Sequence, residues 1–204
     1  MSNDWIVESA MLPPDPQSGV HRTQLTGQTS IVTSIYCEDP YSSADGSRLV
    51  VMRSPHTYMP APCELWVIDL ERGKSILIDA QASYAGCAKH AYSDDFFFIR
   101  HLPDGEELVR LDMLSLETEV VQSRVAGEFG YRTIGSMSPD SRYYVNMRPG
   151  AAGVPQVLVL DLDSAEETVI AEGRDYFNPH PRFDRMQGDW VLVQHNRGQY
   201  INRE

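Results

Sequence analysis

The 204-residue sequence has few cysteines, a deficit of basic residues and no long hydrophobic run. Its three cysteines, Cys37, Cys63 and Cys87, are odd in number and lack CxxC spacing, so neither a disulfide scaffold nor a zinc module is expected. No stretch approaches the roughly 18 apolar residues of a membrane helix, and the first residues lack the basic and apolar regions of a signal peptide. These absences predict a protein of the reducing cytoplasm.

The charge balance is acidic, with 17 Lys and Arg against 29 Asp and Glu and a net charge of −12. No basic stripe exists that could neutralise phosphates, so a nucleic-acid partner is not expected. An anionic membrane surface would repel the chain for the same reason. Hydrophobic residues make up 42% of the sequence and charged residues 23%, which are values typical of a folded globular protein.

Several catalytic motifs are also missing. The sequence contains no GxSxG, HExxH, GxxxxGK[ST] or GxGxxG pattern, which argues against a serine hydrolase, a zinc protease and a nucleotide-binding site. No apolar period of 3.6 residues persists anywhere, so long amphipathic helices are not expected.

A repeat is present instead. The turn aspartates Asp45, Asp94, Asp140 and Asp184 lie 49, 46 and 44 residues apart, and each is followed by short β-branched and aromatic runs. A repeat of this length with several short strands is typical of a β-propeller blade, a four-stranded antiparallel sheet. A β-sandwich is the alternative, because its strands follow one another at a similar spacing.

The repeat predicts one all-β domain of about three and a half blades that do not close into a ring. We expect about fourteen strands in four consecutive sheets. A lead-in with an outer strand takes up residues 1–30, and it is followed by blades at 31–80, 81–125 and 126–172 and by a partial blade at 173–204. Such a chain would correspond to the N-terminal half of a larger propeller. Its inner-strand edge and the segment His21–Thr26 are expected to be unpaired, which favours self-association.

Histidines mark the predicted inner strands. His90 and His180 each lie four residues before a turn aspartate, at the start of the strand that lines the central channel. Prolines on both sides restrict the backbone of His180, and His195 follows on the next strand with Arg197 two residues later. The alternative for each histidine is a structural role in bonding a neighbouring loop.

Arg132 precedes the inner strand of the third blade and could face the same channel; its alternative is a solvated arginine. Most carboxylates fall in turns, Asp45 and Asp140 among them, where hydrogen bonds to turn amides are the expected role.

Several segments resemble one family. The sequence is similar to the N-terminal part of oligogalacturonate lyases, which are cytoplasmic β-propeller enzymes of pectin breakdown. The segments that carry this resemblance are Asp15–Gly19 with Thr23–Thr26, Tyr41–Met52 with Leu65–Leu70, and His180-Pro181 with Gln194–Gly198.

The resemblance implies a chemistry. A base removes the C5 proton of a galacturonate, next to its carboxylate, and the 4-linked sugar leaves. By resemblance the base is His180, and we expect His90, Arg132, His195 and Arg197 to contribute to binding a uronate oligosaccharide.

The family also uses a divalent metal, Mn²⁺ by implication, whose ligands belong to later blades and are not found in this chain. Gln194 and His195 are neighbours on a strand and point to opposite faces, so we expect no tight metal site and little activity from this chain alone. The alternative from another class is a non-catalytic Tol-like propeller module that binds a sugar or a protein partner.

Overall fold

The computed structural model describes residues 4–27, 30–56, 61–90 and 92–196, and the regular secondary structure in these ranges is almost entirely antiparallel β-sheet. No helix in these ranges is long and apolar enough to cross a membrane. The strands found there are β1 (Ile6–Val7), β2 (Ala10–Leu12), β3 (Arg22–Gln24), β4 (Ile31–Thr33), β5 (Arg48–Ser54), β6 (Cys63–Asp69), β7 (Lys74–Lys89), β8 (Asp95–Leu102), β9 (Gly105–Asp112), β10 (Thr118–Val125), β11 (Ser136–Met137), β12 (Tyr143–Pro149), β13 (Pro155–Asp161), β14 (Glu167–Glu172), β15 (Arg182–Phe183) and β16 (Val191–Leu192). Two single-turn 3₁₀ helices lie at Ala151–Gly153 and Arg174–Tyr176.

The strands follow one another as antiparallel blades. The first blade is β4, β5, β6 and the first half of β7, and the second is the other half of β7 with β8, β9 and β10. The third is β11 to β14, and β15 with β16 forms a two-stranded fourth unit. The fold class predicted from the repeat, a β-propeller with an incomplete ring, is confirmed.

The boundary between the first two blades differs from the prediction of four separate sheets. The 16 residues of β7 form one continuous strand that pairs with β6 as far as Ala82 and with β8 from Ala82 onward. The junction from Asp79 to Ser83 contains no glycine or proline that would force a turn. Extended backbone therefore continues from the outer edge of one blade into the inner strand of the next.

The lead-in segment also differs from the prediction. Within His21–Thr26, β3 is not unpaired, because it forms a hairpin with β2. The preceding β1 pairs with Lys74 and Ser75 at the outer edge of the first blade. The segment thus supplies two strands more than predicted, β1 and β2, and the described residues hold sixteen strands instead of about fourteen.

Both faces of the inner blades are buried. Phe96 and Phe98 of β8 pack with the first blade, whereas Phe97 and Ile99 pack with the third blade. Successive side chains of a strand point to opposite faces, so a blade between two others needs apolar residues at every position. This explains why the run Phe96–Ile99 is continuously apolar rather than alternating.

The turn aspartates are structural, as the sequence predicts. Asp45 accepts hydrogen bonds from the Ser43 hydroxyl (2.6 Å) and from the amide of Ser47 (2.9 Å), and these donors lower the pKa of Asp45 to about 2. Asp140 accepts from the hydroxyl of Ser138 in the third blade in the same way, at 2.5 Å. The feature that recurs in the sequence is therefore a turn in which the aspartate accepts a hydrogen bond from the serine two residues earlier.

Candidate functional site

His180 lies two residues before β15, in the position that the repeat predicts for an inner strand. Its backbone adopts a left-handed conformation with φ of 44°, between Pro179 and Pro181. The side chain is 17% exposed, and the ring lies 5.5 Å from the ring of Tyr36. A strained backbone at a non-glycine residue fixes the direction in which this imidazole points.

Each ring nitrogen of His180 has one polar partner. Nδ1 lies 2.7 Å from Oε1 of Glu38, and Nε2 lies 2.7 Å from the side-chain nitrogen of Asn178. Glu38 belongs to the loop of the first blade that connects β4 to Tyr41, far from His180 in the sequence. The site therefore joins the first and fourth blades.

Arg182 anchors the loop that carries Glu38 and Asp39. Its Nη2 donates to Oε2 of Glu38 at 2.8 Å, and its Nε forms an ion pair with Oδ2 of Asp39 at 3.1 Å. Its Nη1 donates to the carbonyls of Gly135 and Pro181, both at 2.9 Å. Both terminal nitrogens of the guanidinium thus donate hydrogen bonds to protein groups, whereas Nε contributes only the ion pair with Asp39.

Asp39 is the buried carboxylate of the cluster, with 4% of its side chain exposed. Burial raises the pKa of Asp39, and the guanidinium groups of Arg182 and Arg185 oppose this effect. The ion pair with Arg185 is longer, at 3.5 Å, and half of that arginine's side chain is exposed. Arg185 therefore keeps donors directed toward solvent.

A cavity of about 710 Å³ opens beside these residues. Glu38, His180, Arg182 and Arg185 contribute to its wall, together with the β16 side of the fourth unit. Trp190, which is 75% exposed, also lines it. Such a cavity combines a histidine, accessible guanidinium donors and a flat aromatic surface, the groups used to bind a small anionic ring compound.

Other predicted site residues lie at the edge of this cluster or elsewhere. His90 is buried at the end of β7, and its Nε2 lies 3.1 Å from the carbonyl oxygen of Arg185, so it supports the backbone of the cavity wall. His195 packs against Tyr176 with ring centroids 4.9 Å apart and lies 3.3 Å from Asp175. The adjacent Gln194 lines the cavity instead. The prediction that these two residues lie on a strand is wrong, because β16 ends at Leu192.

Two further predicted residues do not join the His180 cluster in the described structure. Arg132 is exposed and lines a different cavity of about 420 Å³ between the second and third blades, with His101 and Glu106. Arg197 lies outside the described residues.

Sequence reasoning missed Glu38, Asp39, Arg182 and Arg185. The available signal was positional, since Glu38 and Asp39 lie three and two residues before Tyr41, which is the position that corresponds to His180 in the first repeat, and Arg182 is two residues beyond His180. That register predicts proximity to the channel and does not predict which blades meet there.

The donor set does not fit a metal site. In the described ranges, no group of three or more His, Cys, Asp or Glu side chains is arranged to hold an ion. Glu38 is engaged by His180 and Arg182, and Asp39 by Arg182 and Arg185. No step of the chemistry below is therefore assigned to a metal held by these residues.

No protein-family model and no curated protein matches this sequence. Solved structures do match. An oligogalacturonate lyase from Vibrio parahaemolyticus superposes with a TM-score of 0.65 at 17% identity, covering 90% of this chain and 51% of the lyase. A second oligogalacturonate lyase, solved in complex with manganese, gives 0.63 at 18% identity over 91% and 54%.

TolB from Acinetobacter baumannii gives a TM-score of 0.53 at 14% identity, covering 87% of this chain and 41% of TolB. The shared feature is the propeller fold. This chain spans about half the length of the two lyases, and at these identities the likeness extends to architecture and not to activity.

Proposed function

We propose that the cavity beside His180 binds a uronate unit of a short oligosaccharide and that the protein cleaves the adjoining glycosidic bond by β-elimination. The observation that carries this proposal is the pairing of His180 with Glu38 through one ring nitrogen, in the wall of a cavity that also presents Arg185 and Trp190. The fold likeness to two oligogalacturonate lyases supports the same reading.

Each cavity residue has a role in this reaction. The half-exposed guanidinium of Arg185 receives the uronate carboxylate, and the face of Trp190 stacks on the sugar ring. Negative charge develops on the carboxylate as the neighbouring C–H bond breaks, so a guanidinium at that position stabilises the transition state more than the ground state.

His180 is the base. Its Nε2 takes the proton from C5, the electron pair forms a C4–C5 double bond, and the C4–O bond breaks. The departing oxygen takes up a proton from solvent water and leaves as the hydroxyl of the released sugar. The amide of the exposed Asn178 occupies the Nε2 lone pair in this structure and must turn away before the proton is transferred.

As part of the same proposal, the protein is cytoplasmic and has no nucleic-acid or membrane partner. The three cysteines all lie within the described residues and form no disulfide, and the net charge is −12. A cytoplasmic lyase would act on short oligomers that have already entered the cell.

A non-catalytic propeller module is the second candidate. The superposition on TolB, with a TM-score of 0.53, supports this candidate at the level of the fold. In that case the same cavity binds an acidic sugar or the acidic side chains of a protein and releases them unchanged.

The decisive experiment is an absorbance assay for the 4,5-unsaturated uronate product, with digalacturonate as substrate in the presence and absence of Mn²⁺. We expect slow turnover by the wild-type protein, in keeping with the little activity expected of this chain alone, and its loss in His180→Ala. His21→Ala is the matched control, since His21 is exposed in the lead-in segment away from the cavity, and should leave the rate unchanged. Digalacturonate binding without product formation by the wild type would overturn the lyase proposal in favour of the binding module.

A further inference from the structure

Glu38 is held more tightly than its exposure would suggest. Its two carboxylate oxygens have different partners, with Oε1 at 2.7 Å from Nδ1 of His180 and Oε2 at 2.8 Å from Nη2 of Arg182. Arg182 is itself fixed by two backbone carbonyls and by Asp39. A carboxylate with both oxygens occupied cannot rotate without breaking one of these bonds.

This arrangement selects one tautomer of His180. A carboxylate only accepts hydrogen bonds, so Nδ1 must carry the proton that it donates to Glu38. The amide nitrogen of Asn178 donates to Nε2, which requires a lone pair on that nitrogen. Both contacts agree on a neutral ring with the proton on Nδ1, which leaves Nε2 as the basic nitrogen.

We propose that Glu38 is the positioning residue of His180: its carboxylate fixes the Nδ1–H tautomer and the direction of the ring, so that Nε2 is the nitrogen that accepts a proton. The inference deepens the proposed function and rests on it for its catalytic consequence. Since Glu38 lies in the first blade and His180 in the fourth, the base is competent only when these two units are docked.

The structural part of the proposal is tested without catalysis. Long-range ¹H–¹⁵N correlation spectra of the histidine rings report which nitrogen carries the proton. We expect His180 to be the Nδ1–H tautomer in the wild type and to shift toward the Nε2–H form in Glu38→Ala. Glu38→Gln should shift it in the same direction, because its single amide oxygen stays with the Arg182 guanidinium and its NH2 group then faces Nδ1.

A second Glu–His pair provides a matched control. Nδ1 of His101 lies 3.3 Å from Oε1 of Glu106, and both residues line a cavity that shares no residue with the His180 cavity. Glu106→Ala should change the spectrum of His101 and leave that of His180 unchanged. An Nε2–H form of His180 in the wild type, or a His180 spectrum that is the same in Glu38→Ala, would overturn the positioning role.

Kinetics test the catalytic consequence. With digalacturonate we expect Glu38→Ala to lower kcat by tenfold or more with KM within about twofold, because a ring in the wrong tautomer binds substrate but presents no base. Glu38→Gln should lower kcat as well, because its NH2 group faces Nδ1. Loss of turnover in His180→Ala combined with an unchanged kcat in Glu38→Ala overturns the inference. A wild type without any turnover counts against the proposed function alone, since the tautomer spectra still decide the role of Glu38.

Discussion

At the residue scale, Lys89 is unusual because it is a lysine with only 1% of its surface exposed. Its ammonium group donates to the carbonyls of His90 and Ser93, in the turn that follows β7. Burial lowers the pKa of Lys89 to about 8, although Asp94, Asp95 and Asp39 act in the opposite direction. The lysine thus ties the end of the second inner strand to its turn.

This lysine predicts a pH dependence of stability. Because its pKa is lower in the folded than in the unfolded chain, the unfolded state binds more protons between about pH 8 and 10.4, so Lys89 destabilises the fold less as the pH rises. The free energy of unfolding of the wild type, relative to that of Lys89→Met, should increase by about 2 kcal/mol from pH 7.5 to pH 10.

Urea unfolding of both proteins at several pH values measures this difference. The tyrosines and cysteines are the same in the two proteins, so their titration cancels. A difference that stays constant with pH would show that Lys89 titrates as an exposed lysine does.

At the scale of elements, Gly86 lies in the second-blade half of β7, beyond the crossover at Ala82. Its backbone has φ of +91°, within the irregular part of the pairing with β8. A Cβ at this position would lie 2.6 Å from Cγ1 of Ile99 and 3.3 Å from Cδ2 of Tyr131. Neither the conformation nor the space accommodates a side chain.

Gly86→Ala should therefore destabilise the protein by about 3 kcal/mol, from the left-handed backbone and from overpacking together. Gly127→Ala is the control, because Gly127 has φ of +82° but no atom within 4 Å of the added Cβ. It should cost about 1 kcal/mol, which is the backbone contribution alone. Equal losses in urea unfolding would mean that the contact with Ile99 relaxes freely.

The lead-in segment is a second element with a definite anchor. Glu8 forms a buried ion pair with Arg53, whose side chain is fully buried and also lies over the ring of Trp66 at 4.0 Å. Glu8 also accepts a hydrogen bond from the hydroxyl of Ser75 on β7. The segment is thus attached to the first blade through charge as well as through β1.

Glu8→Ala leaves the Arg53 charge buried without its carboxylate, and we expect a loss of about 3–5 kcal/mol in the free energy of unfolding. Ser9→Ala, which removes only the hydrogen bond to the Gly73 carbonyl, should cost about 1 kcal/mol. Hydrogen exchange at β1 distinguishes local detachment from global loss of stability. Similar effects of the two variants would show that Arg53 is stabilised by other groups.

At the scale of the whole molecule, an ionic cluster joins the first and fourth units. Arg182 pairs with Glu38 and Asp39, and Arg185 pairs with Asp39 and donates to the carbonyl of Glu38 at 3.2 Å. These contacts lie where the inner strands converge. Each charge offsets the cost of burying its partner, so removing one of them lowers the free energy of unfolding.

Arg182→Met should destabilise the protein by about 3–5 kcal/mol, because Asp39 stays buried beside only a half-exposed arginine. The double variant Asp39→Asn with Arg182→Met should recover a large part of this loss. The double-mutant cycle measured by urea unfolding gives the coupling directly. Additive effects would mean that Asp39 and Arg182 do not compensate each other.

The fourth unit also exposes a hydrophobic surface, with Trp190 at 75% and Leu192 at 70% exposure. Self-association through this open sheet edge stays a prediction. Sedimentation velocity tests it, with Leu192→Glu expected to shift the protein toward monomer and the exposed Val7→Glu at the opposite end as control. A wild type that is monomeric at all concentrations would contradict it.

Much of the propeller could be read from local chemistry in the sequence. Ser43 with Asp45 and Ser138 with Asp140 form their turns through short-range hydrogen bonds, and the apolar run Phe96–Ile99 already requires a strand buried on both faces. The register of His180 against Asp184 follows from the same repeat, because turn and strand are adjacent in the chain.

What only the tertiary structure decided is which distant segments meet. Three such features are the pairing of β3 with β2, the continuity of β7 and the contact of Glu38 with His180. Each depends on packing and cannot be derived from composition or from residue spacing. Turn chemistry acts over two to five residues and therefore leaves a pattern in the sequence. The contact between Glu38 and His180 depends on the summed rotation of all the blades between them, which no local motif records.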